Sequence, residues 1–338
     1  MDGGIEETEE DRDTEELHME KRIMIQDTDI ELFPIGLGAV NAGLAWDGAD
    51  ADRIFDAFLY YGGNLIDTAH VYSDWVKPER ARSERTIGDW LRRSGKRQQV
   101  VIATKGGHPD MTVENPDLHL SRMTKADMQS DLNSSLEKLG TDYIDLYFYH
   151  RDNTEQPVEE LVEIMEEFRR QGKIRYYACS NWSTSRMKEA DAYCRAHGYR
   201  GFAANQSLYN LGYKYMNPLE DDTLAYADKE MQEYHKENPG NLLMPYMGVC
   251  SGFFHKYITR GEDTVKSSPY YTEGNRRVAE RVKELCERYG ATVSQVVLGF
   301  FGQQDFDCAP LYGPKNVEQI EEVMKTFDIP FTKEDYEV

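Results

Sequence analysis

Cysteine is scarce and scattered. Five residues (Cys179, Cys194, Cys250, Cys286 and Cys308) form no CxxC pair and cannot all pair among themselves, so neither a disulfide framework nor a zinc site is indicated. Reduced thiols in a cytoplasmic protein are the expectation, with no metal. Basic residues are also short: 39 Lys and Arg stand against 61 Asp and Glu, a net charge of −22. That deficit argues against nucleic acid, whose phosphates must be neutralised by cations. No apolar run approaches the roughly 20 residues of a membrane span, and the N-terminal stretch is acidic rather than basic-then-apolar. Neither a membrane segment nor a secretion signal is therefore expected. Finally, no GxGxxG follows an early strand. Gly36-Leu37-Gly38 comes nearest but runs on into Ala39-Val40-Asn41 without the third glycine. A Rossmann dinucleotide site lacks its signature.

Much of the acidity is local. Met1–Glu20 carries ten acidic side chains and one Arg, with few apolar residues. The expectation is a disordered acidic tail over residues 1–20, with a partner-binding role as the sharper alternative, followed by one folded unit over residues 21–338.

Past Lys21 the chain alternates between β-type apolar runs and segments of helical period. Strands are predicted at Leu32–Leu37, Asn64–Asp67, Gln99–Thr104, Ile144–Tyr149, Ile174–Ser180, Phe202–Gln206, Asn241–Tyr246 and Ala309–Tyr312. Helices are predicted near Ala51–Tyr60, Ser83–Ser94, Lys125–Leu139, Pro157–Gln171, Ser185–His197, Asp222–His235, Asn275–Tyr289 and Val317–Phe327. This alternation is the pattern of a parallel α/β sheet, either open and doubly wound or closed as a (β/α)8 TIM barrel. In a barrel the chemistry gathers where the strands end.

Those ends are rich in reactive side chains. Asp67 closes the second strand, with His70 and Tyr72 just beyond; Lys105 ends the third, His150 the fourth, Ser180-Asn181-Trp182 the fifth and Asn205-Gln206 the sixth. Singly, each has a plain structural reading: a helix cap, a solvated charge, a half-buried aromatic, a hydrogen-bonded core histidine. Together they permit carbonyl reduction. A tyrosine with an ordinary pKa of about 10 is a weak acid near neutrality, and a neighbouring Lys⁺ lowers that value. Asp67 can hold Lys105 charged, and His150 can polarise a substrate oxygen. Paired carboxylates for glycoside hydrolysis are the other barrel chemistry that abundant Asp and Glu could supply. Asp145 sits too early in its strand to join Asp67 at the mouth.

The ordered set Ile66-Asp67-Thr68-Ala69-x-x-Tyr72, Lys105, His150 and Ser180-Asn181-Trp182 resembles the aldo-keto reductase signature, in order from about Leu32 to Val323. The resemblance implies a single (β/α)8 barrel with extra C-terminal helices. It implies Tyr72 as proton donor, Lys105 and Asp67 as its tuning pair and His150 as the substrate-orienting group. It further implies a nicotinamide cofactor extended across the mouth, its carboxamide held by Ser180, Asn181 and Gln206. Tyr246 fits the stacking aromatic. Met247-Gly248 departs from the family's Ser-Pro, leaving the backbone of the turn through Gly252 to grip the pyrophosphate. The stretch Gly313-Pro314-Lys315 with Gln319 and Glu322 resembles the adenosine-phosphate motif, although Val323 replaces its usual Asn. Lys315 favours NADP(H), with NAD(H) as the second choice.

For the substrate, Trp46, Trp75, His108, Arg151, Trp182 and Phe253 are the expected pocket residues, and a keto-sugar or another carbonyl or polyol compound the expected class. The long Gly107–Met123 connection suggests a lid or subunit contact, and a homo-oligomer is left open. The alternative function is a cofactor-binding regulatory subunit resembling the β-subunits of potassium channels.

Overall fold

The computed structural model describes residues 22–337. The acidic stretch over residues 1–20 lies outside them. Among the described residues the barrel strands are β3 (Gly36–Gly38), β4 (Leu65–Asp67), β5 (Val101–Gly106), β6 (Ile144–Tyr149), β7 (Ile174–Ser180), β8 (Ala204–Gln206), β9 (Leu242–Leu243) and β10 (Leu311–Tyr312). They run parallel in the order β10-β3-β4-β5-β6-β7-β8-β9. The sheet curls on itself: Ala309 N donates to Leu243 O at 2.9 Å and Leu311 N to Pro245 O at 2.8 Å, joining β9 to β10.

Why these runs form barrel strands is visible in their burial. Every residue of β5 and β6 is buried, as expected where both faces of a parallel sheet are covered. Alternate residues point opposite ways. Leu65, Val101, Ala103, Leu146, Phe148, Ala178 and Ala204 fill the barrel interior. Ile66, Ile102, Tyr147, Tyr149, Tyr177 and Cys179 pack beneath the outer helices.

The first expected strand divides in two. Glu31–Leu32 (β2) pairs antiparallel with Ile23–Met24 (β1), and only Gly36–Gly38 joins the barrel. Pro34 lies between them, and without an N–H it cannot continue a ladder. The hairpin brings Ile25, Ile30 and Leu32 against Leu65, Val101 and Leu146, stopping the N-terminal end of the barrel.

The outer helices are α1 (Gly48–Tyr60), α2 (Arg82–Ser94), α3 (Lys125–Leu139), α4 (Val158–Arg170), α5 (Thr184–His197), α6 (Lys229–Glu237) and α10 (Val317–Met324). Polar caps set several starts: Thr124 accepts from Asp127 N and Ser183 from Arg186 N. One approach is unusually close. A Cβ on Gly88 of α2 would sit 2.0 Å from the Lys138 carbonyl of α3, so only glycine fits there. Three further helices, α7 (Phe253–Arg260), α8 (Glu273–Tyr289) and α9 (Val293–Gly299), build a separate apolar cluster around Phe253, Tyr270, Val278 and Val297. No helix of the described residues is long and apolar enough to cross a membrane.

The helix expected over Asp222–His235 begins later, at Lys229, capped by Asp228, whose carboxylate accepts from Met231 N. The preceding residues form a strap. Asp221 Oδ1 accepts from Thr223 N and Oγ1, and Leu208 exchanges backbone hydrogen bonds with Ala225 and Ala227. These local bonds replace the helical ones.

Candidate active site

The strand register assembles the site. Asp67 pairs with Ala103, and Lys105 with Phe148, which places Asp67, Lys105 and His150 at one rim. A turn after β4, Tyr72 N to Ala69 O at 3.0 Å, brings Tyr72 back over it. Lys105 Nζ donates to both Asp67 oxygens at 2.8 and 2.9 Å, to Thr68 O at 2.7 Å and to Tyr72 Oη at 3.0 Å. Because the Tyr72 oxygen accepts from a cation, its own hydrogen is free to point elsewhere. Gln206 Nε2 donates to Asp67 Oδ1 at 2.6 Å, closing the network on its far side.

Electrostatics set the protonation states. For Lys105, burial alone would lower the pKa, but Asp67 and Tyr72 together raise it above the ordinary value. Burial pushes Asp67 above the usual carboxylate range, with Lys105 and Gln206 pulling it back. Lys105 pulls the Tyr72 pKa down, in the direction expected of a neighbouring cation. Burial pushes the phenol up and the pull of Lys105 offsets only part of that. Tyr72 is therefore a neutral acid with a proton to give. Burial and the neighbouring His108 and Arg151 hold His150 well below its ordinary range, so it is a neutral imidazole. Its ring lies 5.8 Å from that of Tyr72 and 4.5 Å from that of His108, and its Nδ1 is enclosed without a partner.

A cavity of about 370 Å³ opens on this cluster, lined by Asp67, Tyr72, Lys105, His150, Arg151, Ser180, Asn181, Gln206 and Tyr246, with Val40, Leu224 and Met247 as apolar walls. It shares Val249, Ser251 and Gly313 with a second cavity of about 390 Å³ that runs on to Gly252, His255, Lys256, Arg260, Lys315 and Gln319. Together they make one groove. Amide and hydroxyl groups stand at its inner end and three cationic side chains, Lys256, Arg260 and Lys315, at its outer end, a donor set that fits an elongated dinucleotide phosphate. Along the wall between, Met247, Cys250 and Ser251 all adopt left-handed backbone, at φ of 56°, 53° and 52°. Such strain in non-glycine residues gathers at functional sites.

The structure thus brings together Asp67, Tyr72, Lys105, His150, Ser180, Asn181, Gln206, Tyr246, Gly252, Gly313, Lys315 and Gln319 along one groove. Glu322 stands apart, accepting from Thr292 Oγ1 at 2.6 Å. Of the expected substrate residues, Arg151 lines the inner cavity. His108 touches that cavity's wall through His150. Trp46 lies beside Lys315 in a neighbouring cleft and donates to Pro314 O. Trp182 and Phe253 are buried, the first stacked on Tyr149 and the second among the C-terminal helices, so they act as backing. Trp75 is 48% exposed. Asp145 pairs with Arg97 and Arg175, which accounts for its charge away from the mouth.

Sequence reasoning missed Lys256 and Arg260, although two cations four apart just after a glycine turn were a usable signal. It also missed Leu224 and Asp221. Nothing local marks them, since the strap reaches the mouth only through tertiary contacts: Asp221 to Arg151 at 3.1 Å and Ala225 N to Asn181 Oδ1 at 3.1 Å.

Buried histidines give the fold a pH dependence. Burial depresses His108 and His235 to about 4. His235 Nδ1 sits 2.7 Å from Asn241 O and its Nε2 3.1 Å from Asn205 Nδ2, an arrangement that suits only the neutral ring. With an unfolded value near 6.5, the unfolded chain binds the extra protons. Stability is then fully present above about pH 6.5 and falls as pH drops towards 4, by roughly 3 kcal/mol per histidine over the whole interval. Urea unfolding across that range should show this loss, and His235→Asn should make the slope shallower. An equal slope in the variant would remove His235 from the account.

The sequence profile described as the aldo/keto reductase family matches residues 34–338, and the chain belongs to that family. It is accordingly an oxidoreductase of carbonyl and alcohol groups, in a family that typically uses NAD(P)H. The aldo-keto reductase YhdN of Bacillus subtilis is 30% identical, covering 88% of this chain and 86% of its own. An aryl-alcohol dehydrogenase of Phanerodontia chrysosporium, designated for NADP(+), is 26% identical over 90% of this chain and 81% of its own. Among solved structures, the thermostable aldo-keto reductase Tm1743, in complex with the inhibitor epalrestat, superposes with a TM-score of 0.69 at 22% identity. That match spans 93% of this chain and 97% of the other.

Proposed function

We propose that this protein is an NADPH-preferring reductase of neutral carbonyl compounds, with Tyr72 as the proton donor. The observation that carries the reading is Lys105, buried and bonded at once to Asp67 and to the Tyr72 oxygen, at the inner end of a groove whose outer end is basic. A nicotinamide dinucleotide bound along the groove supplies or accepts the hydride. The protein's residues do the rest. Ser180, Asn181 and Gln206 would hold and orient its ring end, with Tyr246 as the aromatic beside them. The left-handed turn Met247–Gly252 offers backbone N–H groups to phosphates. Lys315, Lys256 and Arg260 supply positive charge at the outer end. In the reduction, neutral His150 steadies the carbonyl oxygen and Tyr72 delivers the proton to it. Lys105 then balances the resulting phenolate until a proton returns. Burial of the cluster excludes bulk water and strengthens each of these interactions.

The cofactor preference rests on the excess of cations around Lys315. Titration of the full chain with NADPH and NADH, followed by tryptophan fluorescence, should give tighter binding of NADPH. Lys315→Ala should narrow the difference roughly tenfold, the scale of one lost charged contact. Equal weakening of both cofactors would mean that Lys315 does not read the 2′-phosphate. The four-residue catalytic set favours an enzyme over a purely regulatory subunit, and turnover of an aldehyde by NADPH tests that difference directly.

A further inference from the structure

Arg151 follows His150 at the end of β6 and lines the cavity above the catalytic cluster. Its guanidinium is held twice. One Nη donates to His150 O at 3.3 Å and the other to Asp221 Oδ2, on the strap, at 3.1 Å. A guanidinium carries five N–H donors. Two are engaged, and Nε is enclosed without a partner. Asp221 is itself fixed, since its second oxygen accepts from Thr223 N and Oγ1. Nε is out of a ligand's reach, and the remaining hydrogens on the two Nη atoms are the donors that the cavity wall offers.

The charges around that position cancel. Lys105 is matched by Asp67 and Arg151 by Asp221, while His108 and His150 are neutral. A carboxylate bound here would meet no uncompensated cation, would compete with Asp221 for Arg151, and would approach a protein of net charge −22. A neutral oxygen acceptor meets none of these obstacles. It takes the free Arg151 donors without displacing Asp221.

Resting on the reductase reading above, we infer that Arg151, held in place by the strap residue Asp221, is a specificity determinant that selects carbonyl substrates bearing a neutral hydroxyl on the adjacent carbon. The α-hydroxy ketone unit of a keto-sugar is one such group. Asp221 acts as a positioning residue, because its contact is with Arg151.

The test uses the full chain with NADPH and three ketones on one skeleton: 2-hydroxyacetophenone, acetophenone and the anion phenylglyoxylate, with 4-nitrobenzaldehyde as a general probe of reductase activity. The expected kcat/KM favours the hydroxy ketone over both others by roughly ten- to a hundredfold, the worth of a hydrogen bond to a charged group. In Arg151→Met the ratio of hydroxy ketone to acetophenone should collapse towards one. In Asp221→Asn, which leaves Arg151 unbalanced, phenylglyoxylate should gain on acetophenone. That change in ranking is one that a merely structural defect would not produce. Equal kcat/KM for the hydroxy ketone and acetophenone in the unaltered protein, or the same preference retained in Arg151→Met, would overturn the inference while reduction of 4-nitrobenzaldehyde leaves the reductase reading standing. Failure to reduce any of the four overturns both.

Discussion

Tyr72→Phe should lower kcat by roughly a hundred- to ten-thousandfold, the range for loss of a positioned general acid. The change removes one oxygen from a side chain whose ring packs against His150, so the cavity keeps its shape. It removes the only atom through which Lys105 touches this ring at hydrogen-bonding distance. NADPH affinity, read by fluorescence titration, should hardly change, because the groove's basic end lies away from the phenol. Turnover within a few fold of the unaltered enzyme would take the acid role away from Tyr72.

Lys105→Met should damage both catalysis and the fold. Asp67 is 1% exposed and would keep Gln206 but lose its cation. Breaking a buried pair by removing one partner costs about 3–5 kcal/mol. Burial already raises the Asp67 pKa, and Lys105 is the largest influence pulling it back. Without that pull the folded state binds a proton that the unfolded state releases, so the variant should recover stability as pH falls and lose it as pH rises. Residual alcohol oxidation, which needs the phenolate, should shift to higher pH because Lys105 no longer favours it. Equal destabilisation at all pH values would mean that Asp67 is not left carrying an unpaired charge.

Much of this arrangement was legible from the chain because it is local. Asp67, Lys105, His150 and Ser180 sit at the ends of strands whose apolar runs announce them, and β6 and β7 begin and end where the pattern predicts. Resemblance alone supplied the expected cofactor residues; most of them line one groove, and Glu322 does not. What escaped was decided at a distance. Pro34 divides an apparently continuous apolar run, since the hairpin before it finds partners across the barrel floor. The strap looked helical in its sequence, yet Asp221 and Ala225 answer to Arg151 and Asn181. The net Tyr72 pKa escaped for a similar reason: the pull of Lys105, on the next strand, is visible in sequence order, but the depth of burial that outweighs it is not. Trp182 and Phe253 look like pocket aromatics and prove to be packing.

The pairing of β10 with β3 joins the last barrel strand to the first. During synthesis the open edge of β3 must wait for nearly the whole barrel to be made, which at roughly 5–20 residues per second is a matter of tens of seconds. For that interval the nascent chain exposes an unpaired parallel ribbon, the kind of edge that invites association with other chains. A slow ribosome, or a truncation anywhere before Leu311, would prolong this exposure. The yield of soluble protein should therefore depend on translation and chaperone supply more steeply than the stability of the finished barrel suggests.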